Sequence, residues 1–369
     1  MAFMYTERIQ KLRQQMREDQ LDAFLVTDPI NIKYLSGFSG DTAGVQLVTA
    51  DNNWIITDSR FVQYLEEELP DQDNIITRSY LGTVCDLVKK LSIKRLGFED
   101  TITYTDYEFL REQAECELVP ENEVIEWNRT VKSPAELDII RQSCQLAGKG
   151  FQFVLDNIKP GMTEQEMSNE LDYFMKKHGA QGASFETIFA SGENTVKPHA
   201  TASKKKIQVG EPVTLDFGYF YDDYTSDVTR TFGIGAQSDK FKEIYQVVLD
   251  AQIKTIEAVK EGVTAAELDH VGRQYITDQG YGEYFTHGMG HGIGLDIHEN
   301  PYISRSVNDA PLGKFAPKTF VANQILTIEP GIYIPGVGGV RIEDDVLVTK
   351  DGYEVLTDFS KKYQEVPAN

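Results

Sequence analysis

Cysteine, positive charge and long apolar runs are all scarce in this sequence, and each scarcity removes a class of protein. Only three cysteines occur, Cys85, Cys116 and Cys144. They are too few and too scattered for a disulfide framework or a Cys-x-x-Cys metal site, so they read as reduced, buried thiols of a cytoplasmic protein. Lysine and arginine total 36 against 58 aspartates and glutamates, a formal charge of -22. Affinity for phosphate backbones and anionic lipid comes chiefly from clustered cations, so neither nucleic acid nor a membrane surface is an expected partner. No window approaches the roughly 20 uninterrupted apolar residues of a membrane span. Met1 to Gln20 is charged throughout, unlike a signal peptide or an anchor.

What is present is an ordinary globular composition: 369 residues, 41% hydrophobic and 25% charged. At roughly 100 to 200 residues per domain, that length suggests two domains, each with its own core. Apolar residues recur at helical spacing from Ile9 through Leu12 and Met16, and Asp22 to Thr27 reads as a strand. Strand-like Val45–Thr49, Trp54–Thr57, Asn74–Arg78 and Arg95–Phe98 then alternate with helix-like Arg60–Leu69, Thr83–Leu91 and Asp106–Ala114. This is an α/β domain, assigned to residues 1–125, followed by a polar connector from Pro120 to Lys132.

The remainder, 126–369, contains a duplication. Ser133-Pro134-Ala135-Glu136 is a capping box opening a helix whose apolar stripe runs Leu137, Ile140, Cys144, Ala147, Phe151, Val154 and Ile158. Thr163 and Glu166 cap a second helix. About 101 residues later a helix from Ser238, then Lys260-Glu261-Gly262-Val263-Thr264 and a helix from Ala265, repeat the plan. The expectation is an α+β domain built from two α-α-β units, whose strands join in a curved sheet covered by four helices.

The strands carry the chemistry. Val213 to Phe232 reads as a hairpin turning near Tyr221, Asp222 and Asp223, and folded about 221 and 222 it sets Asp216 and Asp227 directly opposite each other, with Cβ atoms about 4.5–5.5 Å apart. Two facing anions on a strand make sense mainly if cations sit between them. Glu329 and Glu343 are symmetric about Gly336 in a second such hairpin, with Arg341 on the face of Glu343. Between the hairpins, His287, His291 and His298 place three of the six histidines within twelve residues. The spacing of His287 and His291 matches HExxH, but Gly288 replaces the glutamate and glycines at 288, 290, 292 and 294 disfavour a helix, so an extended, closely packed strand fits better. Four carboxylates and one imidazole form a hard ligand set suited to a pair of divalent ions, Mn²⁺ first, which can activate a shared water for amide hydrolysis.

With LDFG, SDVTRT, HGMGHGIGLDIHE, TIEPGIY and GGVRIEDD in place, the chain resembles the creatinase/aminopeptidase P/prolidase group of metallopeptidases over essentially its whole length. The resemblance implies a pita-bread catalytic domain over 126–369, preceded by a creatinase-like α/β domain over 1–125. It implies metal ligands at Asp216, Asp227, His291, Glu329 and Glu343, holding two ions, Mn²⁺ with Co²⁺ or Zn²⁺ as alternatives. It gives His199 and His298 proton-handling roles beside the substrate, makes Glu329 the general base, has Arg341 hold the acidic ligands, and has His287 shape the pocket. The implied reaction is attack of a metal-bridging hydroxide on the bond before proline, in a protein that is commonly a homodimer.

Asn31–Gly40 and Thr57–Phe61 are similar to small bacterial Xaa-Pro aminopeptidases, and Asp41-Thr42-Ala43 lacks the histidine of many prolidase loops. Release of the first residue from proline-containing peptides is therefore the leading expectation, with Xaa-Pro dipeptidase as the alternative. A non-catalytic peptide-binding module would lack ligands that this sequence retains, and methionine aminopeptidases usually lack a domain like residues 1–120. A long loop, Asn308 to Ala322, is a candidate either to cap the cleft or merely to decorate it.

Overall fold

The computed structural model describes residues 2–304 and 314–367, and its contacts divide the chain into two units. One unit takes the chain up to Arg129 together with a return segment that ends at Ala316; the other takes the rest. Of the expected loop Asn308–Ala322, residues 308–313 lie outside the described residues. Lys314 belongs to the first unit, its ammonium 2.6 Å from both Asp19 and Glu121.

The first unit runs α1 (Ala2–Glu18), β1 (Ala23–Val26), α2 (Pro29–Ser36), β2 (Gly44–Thr49), β3 (Asn53–Thr57) and α3 (Val62–Glu68). It continues through β4 (Asn74–Ile76), α4 (Tyr80–Lys90), β5 (Arg95–Glu99), α5 (Tyr104–Gln113), β6 (Glu117–Glu121) and α6 (Val124–Thr130). The six strands form one mixed sheet in the order β4-β3-β2-β1-β5-β6. Leu25, Leu47, Ile56 and Leu96 pack under Val84 and Leu110, each such burial being worth about 1.5–3 kcal/mol. The expected polar connector is corrected here: Glu117–Glu121 is an edge strand and Val124–Thr130 a helix, because Val124, Ile125 and Trp127 supply a buried apolar face.

The second unit begins with α7 (Pro134–Asn157) and α8 (Glu164–Lys177), then β7 (Gly182–Ala183), β8 (Ile188–Ser191), β9 (Pro212–Phe217), β10 (Tyr219–Tyr221), β11 (Tyr224–Thr225) and β12 (Val228–Ile234). The repeat follows as α9 (Asp239–Glu257), α10 (Ala265–Asp278), β13 (Gly290–Gly292), β14 (Glu299–Ile303), β15 (Ile325–Ile328), β16 (Gly331–Ile334), β17 (Gly338–Arg341) and β18 (Asp344–Val348). Two short strands, β19 (Tyr353–Val355) and β20 (Glu365–Val366), end it. The α-α-β duplication is borne out, down to both expected capping boxes, Ser133/Glu136 and Thr163/Glu166, and a third at Thr264/Glu267.

Each half has its own core. Ala147, Phe151 and Val154 of α7 meet Leu215, Phe217 and Phe232; Ile244, Val248 and Ala251 of α9 meet Leu326, Ile328 and Val346. The stripe of α7 divides, since Leu137, Ile140 and Cys144 pack instead on Ile293, Ile325 and Leu347 of the other half. The strands do not form the one continuous sheet expected but sheets of three, four, five and two strands, and the halves meet where the Glu343 N–H donates to the Thr229 carbonyl (3.1 Å) and the Thr231 hydroxyl to the Arg341 carbonyl (2.9 Å).

The first hairpin differs from expectation by two residues. Asp216 pairs with Thr229 and Tyr221 with Tyr224, so the turn is Asp222-Asp223, both at positive φ (44° and 72°), and Asp227 is not directly opposite Asp216. Two-residue hairpin turns favour positive φ at both central positions, and Asp tolerates it. A shift of two preserves the face, so the aspartates become diagonal neighbours. The second hairpin follows the expected register, with Ile328 paired to Asp344 and Gly331 to Arg341 across the gap that holds Glu329 and Glu343.

Candidate metal centre

The two hairpins and the glycine-rich segment between them converge on one cavity of about 410 Å³. Asp216, Asp227, His291, Glu329, Glu343, His199, His287, His298 and Arg341 all line it, so every residue singled out from the sequence is brought to this cavity. Asp227, His291 and Glu343 each present a ligand-type atom, all within 4.8 Å of one another and all buried. His291 Nε2 lies 3.6 Å from Asp227 Oδ2 and 3.7 Å from Glu329 Oε1. Glycine makes this approach possible: a Cβ on Gly290 would stand 1.9 Å from the Thr327 carbonyl oxygen, and one on Gly292 2.3 Å from that of Asn300. The expected extended strand is short, Gly290–Gly292, with His287 before it and His298 after.

Burial and mutual repulsion dominate the electrostatics. Burial, then the charges of Glu343 and Asp216, push Asp227 well above the carboxylate range. Glu343 is raised likewise by burial and by Glu329, and burial lifts Glu329 to about 7 against the opposing pull of Arg341. Burial depresses His291 to about 4, so its ring is neutral at neutral pH. His291 Nδ1 lies 2.9 Å from the Gly292 carbonyl, which fixes that nitrogen as the donor and leaves Nε2 a bare lone pair facing carboxylates. Asp216 Oδ1 and Asp227 Oδ1 are buried and have no hydrogen-bond donor. Lone pairs aimed at lone pairs, with orphaned carboxylate oxygens beside them, are the signature of a site built for cations. The donor set fits hard divalent ions.

A ring of supporting residues holds these groups, and several were not read from the sequence. Arg341 donates from Nη2 to Asp216 Oδ2 (2.6 Å), from Nε to the Thr229 hydroxyl (3.1 Å) and from Nη1 to the Tyr333 hydroxyl (2.7 Å). The Thr229 hydroxyl in turn donates a hydrogen bond to Glu343 Oε2 (2.7 Å). Tyr333 then bonds His287 Nε2 (2.9 Å), while His287 Nδ1 lies 2.8 Å from the Gly288 carbonyl. Behind Asp227, Asp345 accepts from its backbone N–H (2.9 Å) and from Cys144 Sγ (3.3 Å). Tyr333 and Thr229 lie inside motifs quoted above, and period-two alternation from Glu343 marks Asp345. The thiols are all free; Cys85 and Cys144 are buried as expected, whereas Cys116 is half-buried.

His199 follows a short 3-10 helix, Gly192–Val196, and His298 leads into β14; both imidazoles are exposed on the cavity wall. The His298 ring packs on that of His291, centroids 4.4 Å apart. No described helix is long and apolar enough to cross a membrane.

Residues 138–350 match metallopeptidase family M24, and residues 8–131 match the creatinase/prolidase N-terminal domain. A structure titled Xaa-Pro dipeptidase, from Bacillus anthracis, superposes with a TM-score of 0.90 at 41% identity, covering 98% of this chain and 99% of that one. An Xaa-Pro dipeptidase of Pyrococcus horikoshii is 38% identical over 95% of this chain and 97% of its own length. An X-Pro aminopeptidase structure from Thermotoga maritima is 33% identical with a TM-score of 0.85, covering 97% and 99% of the two chains.

Proposed function

The chain belongs to metallopeptidase family M24, and from that premise we propose that it hydrolyses the amide bond preceding proline, releasing the first residue of Xaa-Pro peptides with two divalent ions, Mn²⁺ foremost. The observation that carries this reading is the bare His291 Nε2 turned towards carboxylates whose buried oxygens lack donors. Asp216, Asp227, His291, Glu329 and Glu343 are the residues that would hold the ions. Bound there, the ions would supply Lewis acidity that polarises a carbonyl and acidifies a coordinated water.

The chain's own groups do the rest. Glu329, whose carboxylate lines the cavity, would take the proton of the attacking water as general base. His199 and His298 present N–H groups to the substrate carbonyl and leaving group from the cavity wall. Arg341 fixes Asp216 directly and Glu343 through Thr229. An Xaa-Pro amide has no N–H, so a wall that offers a ring-shaped space in place of an acceptor at that position selects it.

A second reading, cleavage confined to Xaa-Pro dipeptides, is favoured by the dipeptidase names of relatives at 38% and 41% identity. Metal-reconstituted protein offered Xaa-Pro and Xaa-Pro-Yaa in parallel distinguishes them by product analysis. Cleavage of both supports the aminopeptidase reading, and cleavage of the dipeptide alone supports the second. Undiminished hydrolysis in excess chelator removes the metal-dependent mechanism altogether.

A further inference from the structure

The second unit buries several ion pairs that do not line the cavity, Arg230–Asp344, Arg273–Asp269 and Lys132–Glu299 among them, and the last lies beside a cavity residue. Lys132 Nζ lies 2.6 Å from Glu299 Oε1, with the two side chains 1% and 3% exposed. Removing both charges from water costs about as much as their attraction returns, so an apolar pair of similar volume would stabilise the fold equally well. What a fixed ion pair adds is a defined place for its two ends.

Both ends are anchored. The Lys132 N–H donates to the Asn323 carbonyl (2.9 Å), one residue before the Ser133 cap of α7. Glu299 immediately follows His298 and pairs with Gly292 across β13 and β14. Its carboxylate lies under the intervening loop so closely that a Cβ on Gly294 would stand 2.4 Å from Oε1. The Gly294 carbonyl accepts from the Thr225 N–H (2.9 Å), on the hairpin that carries Asp227. The loop from Ile293 to His298 therefore rests on the Glu299 carboxylate, and Lys132 sets the height of that floor. Among the described residues no side chain hydrogen-bonds the His298 ring, whose aromatic contact is with His291, so the course of its backbone largely decides where it points.

We propose that Lys132, acting through Glu299, is a positioning residue for His298 in the cleavage reaction. This rests on the function proposed above, and the test separates the two. Replacing both partners, Lys132→Met with Glu299→Met, removes the charges and keeps unbranched chains of similar length. The expected result is a fall in kcat on Xaa-Pro-Yaa of about tenfold or more with KM and bound-metal stoichiometry little changed. In a His298→Ala background the same pair replacement should leave kcat where it was. An equal loss in both backgrounds, or full kcat in the pair variant, overturns the proposal.

A readout independent of activity is the imidazole resonance of His298 in ¹⁵N-histidine-labelled protein, assigned with His298→Ala. It should move in the pair variant, and an unmoved resonance also overturns the proposal. If the wild type cleaves no Xaa-Pro bond, the function proposed above fails while this resonance still decides whether Lys132 positions His298. Should the pair variant not fold, Lys132→Arg keeps the charge at a different reach. It is expected to shift the same resonance and lower kcat, and wild-type values for both overturn the proposal.

Discussion

Tyr333 serves two site residues at once. Its hydroxyl accepts from Arg341 Nη1 and bonds His287 Nε2, so removing one oxygen unpins the guanidinium that holds Asp216 and frees the pocket imidazole. Outer groups of this kind are typically worth about 10- to 100-fold. Tyr333→Phe should therefore lose kcat/KM by about that factor in steady-state assays while still binding metal. His287 itself reports on pH. Burial, then Arg341, depress it from the usual 6.5 to about 4, so the unfolded chain takes up a proton that the folded one refuses. The contribution to stability is full above pH 6.5 and is lost as pH falls towards 4. In metal-free protein, urea unfolding at about pH 7.5 and 5 should show His287→Gln losing about 1–2 kcal/mol less than the wild type over that interval. An identical loss in both would mean that the imidazole is already solvated.

At the scale of elements, the register of the site strands depends on where backbone passes backbone. A Cβ on Gly290 would meet the Thr327 carbonyl oxygen at 1.9 Å, so Gly290→Ala must push β13 from β15 and carry His291 with it. Overpacking against backbone costs about 1–3 kcal/mol, and here it should also weaken metal binding in calorimetry. Gly336→Ala, where φ is +80° and nothing lies within 4 Å, should cost about 1 kcal/mol of backbone strain and leave metal binding intact. The same contrast explains what the sequence made legible. Caps and helical stripes are local, and Ser133, Thr163 and Ser238 begin helices as their side chains predict. The facing of Glu329 and Glu343 was legible because Gly336 marks its own turn. The Asp222-Asp223 turn has no glycine, and two aspartates at positive φ could not be told from the flanking tyrosines, hence the two-residue error at Asp227. The helix Pro29–Ser36 went unread although its signals are local: the Asp28 cap, Pro29 at its start and Gly37 at φ 80°. The contacts of Tyr333 and Lys132 depend on which strands meet, which no local pattern encodes.

For the whole molecule, the centre is a liability that a ligand converts into stability. A chain of charge -22 brings five carboxylates to one cavity, Glu186 exposed and the other four around a single guanidinium, and burial raises three of those four towards protonation. Ions that bind the folded state alone stabilise it by about 4 kcal/mol at a thousand times their dissociation constant. For a unit of this size, that is a melting shift on the order of 10 °C. Chelation should lower the melting temperature and Mn²⁺ restore it. Glu343→Gln sharpens the argument, because glutamine can still accept the Thr229 hydrogen bond while removing one buried like charge. Without metal this variant should melt higher than the wild type; with Mn²⁺ it should gain little and cleave nothing. If it instead melts lower than the metal-free wild type, repulsion among the carboxylates is not what the ions relieve, and the cavity owes its shape to packing alone.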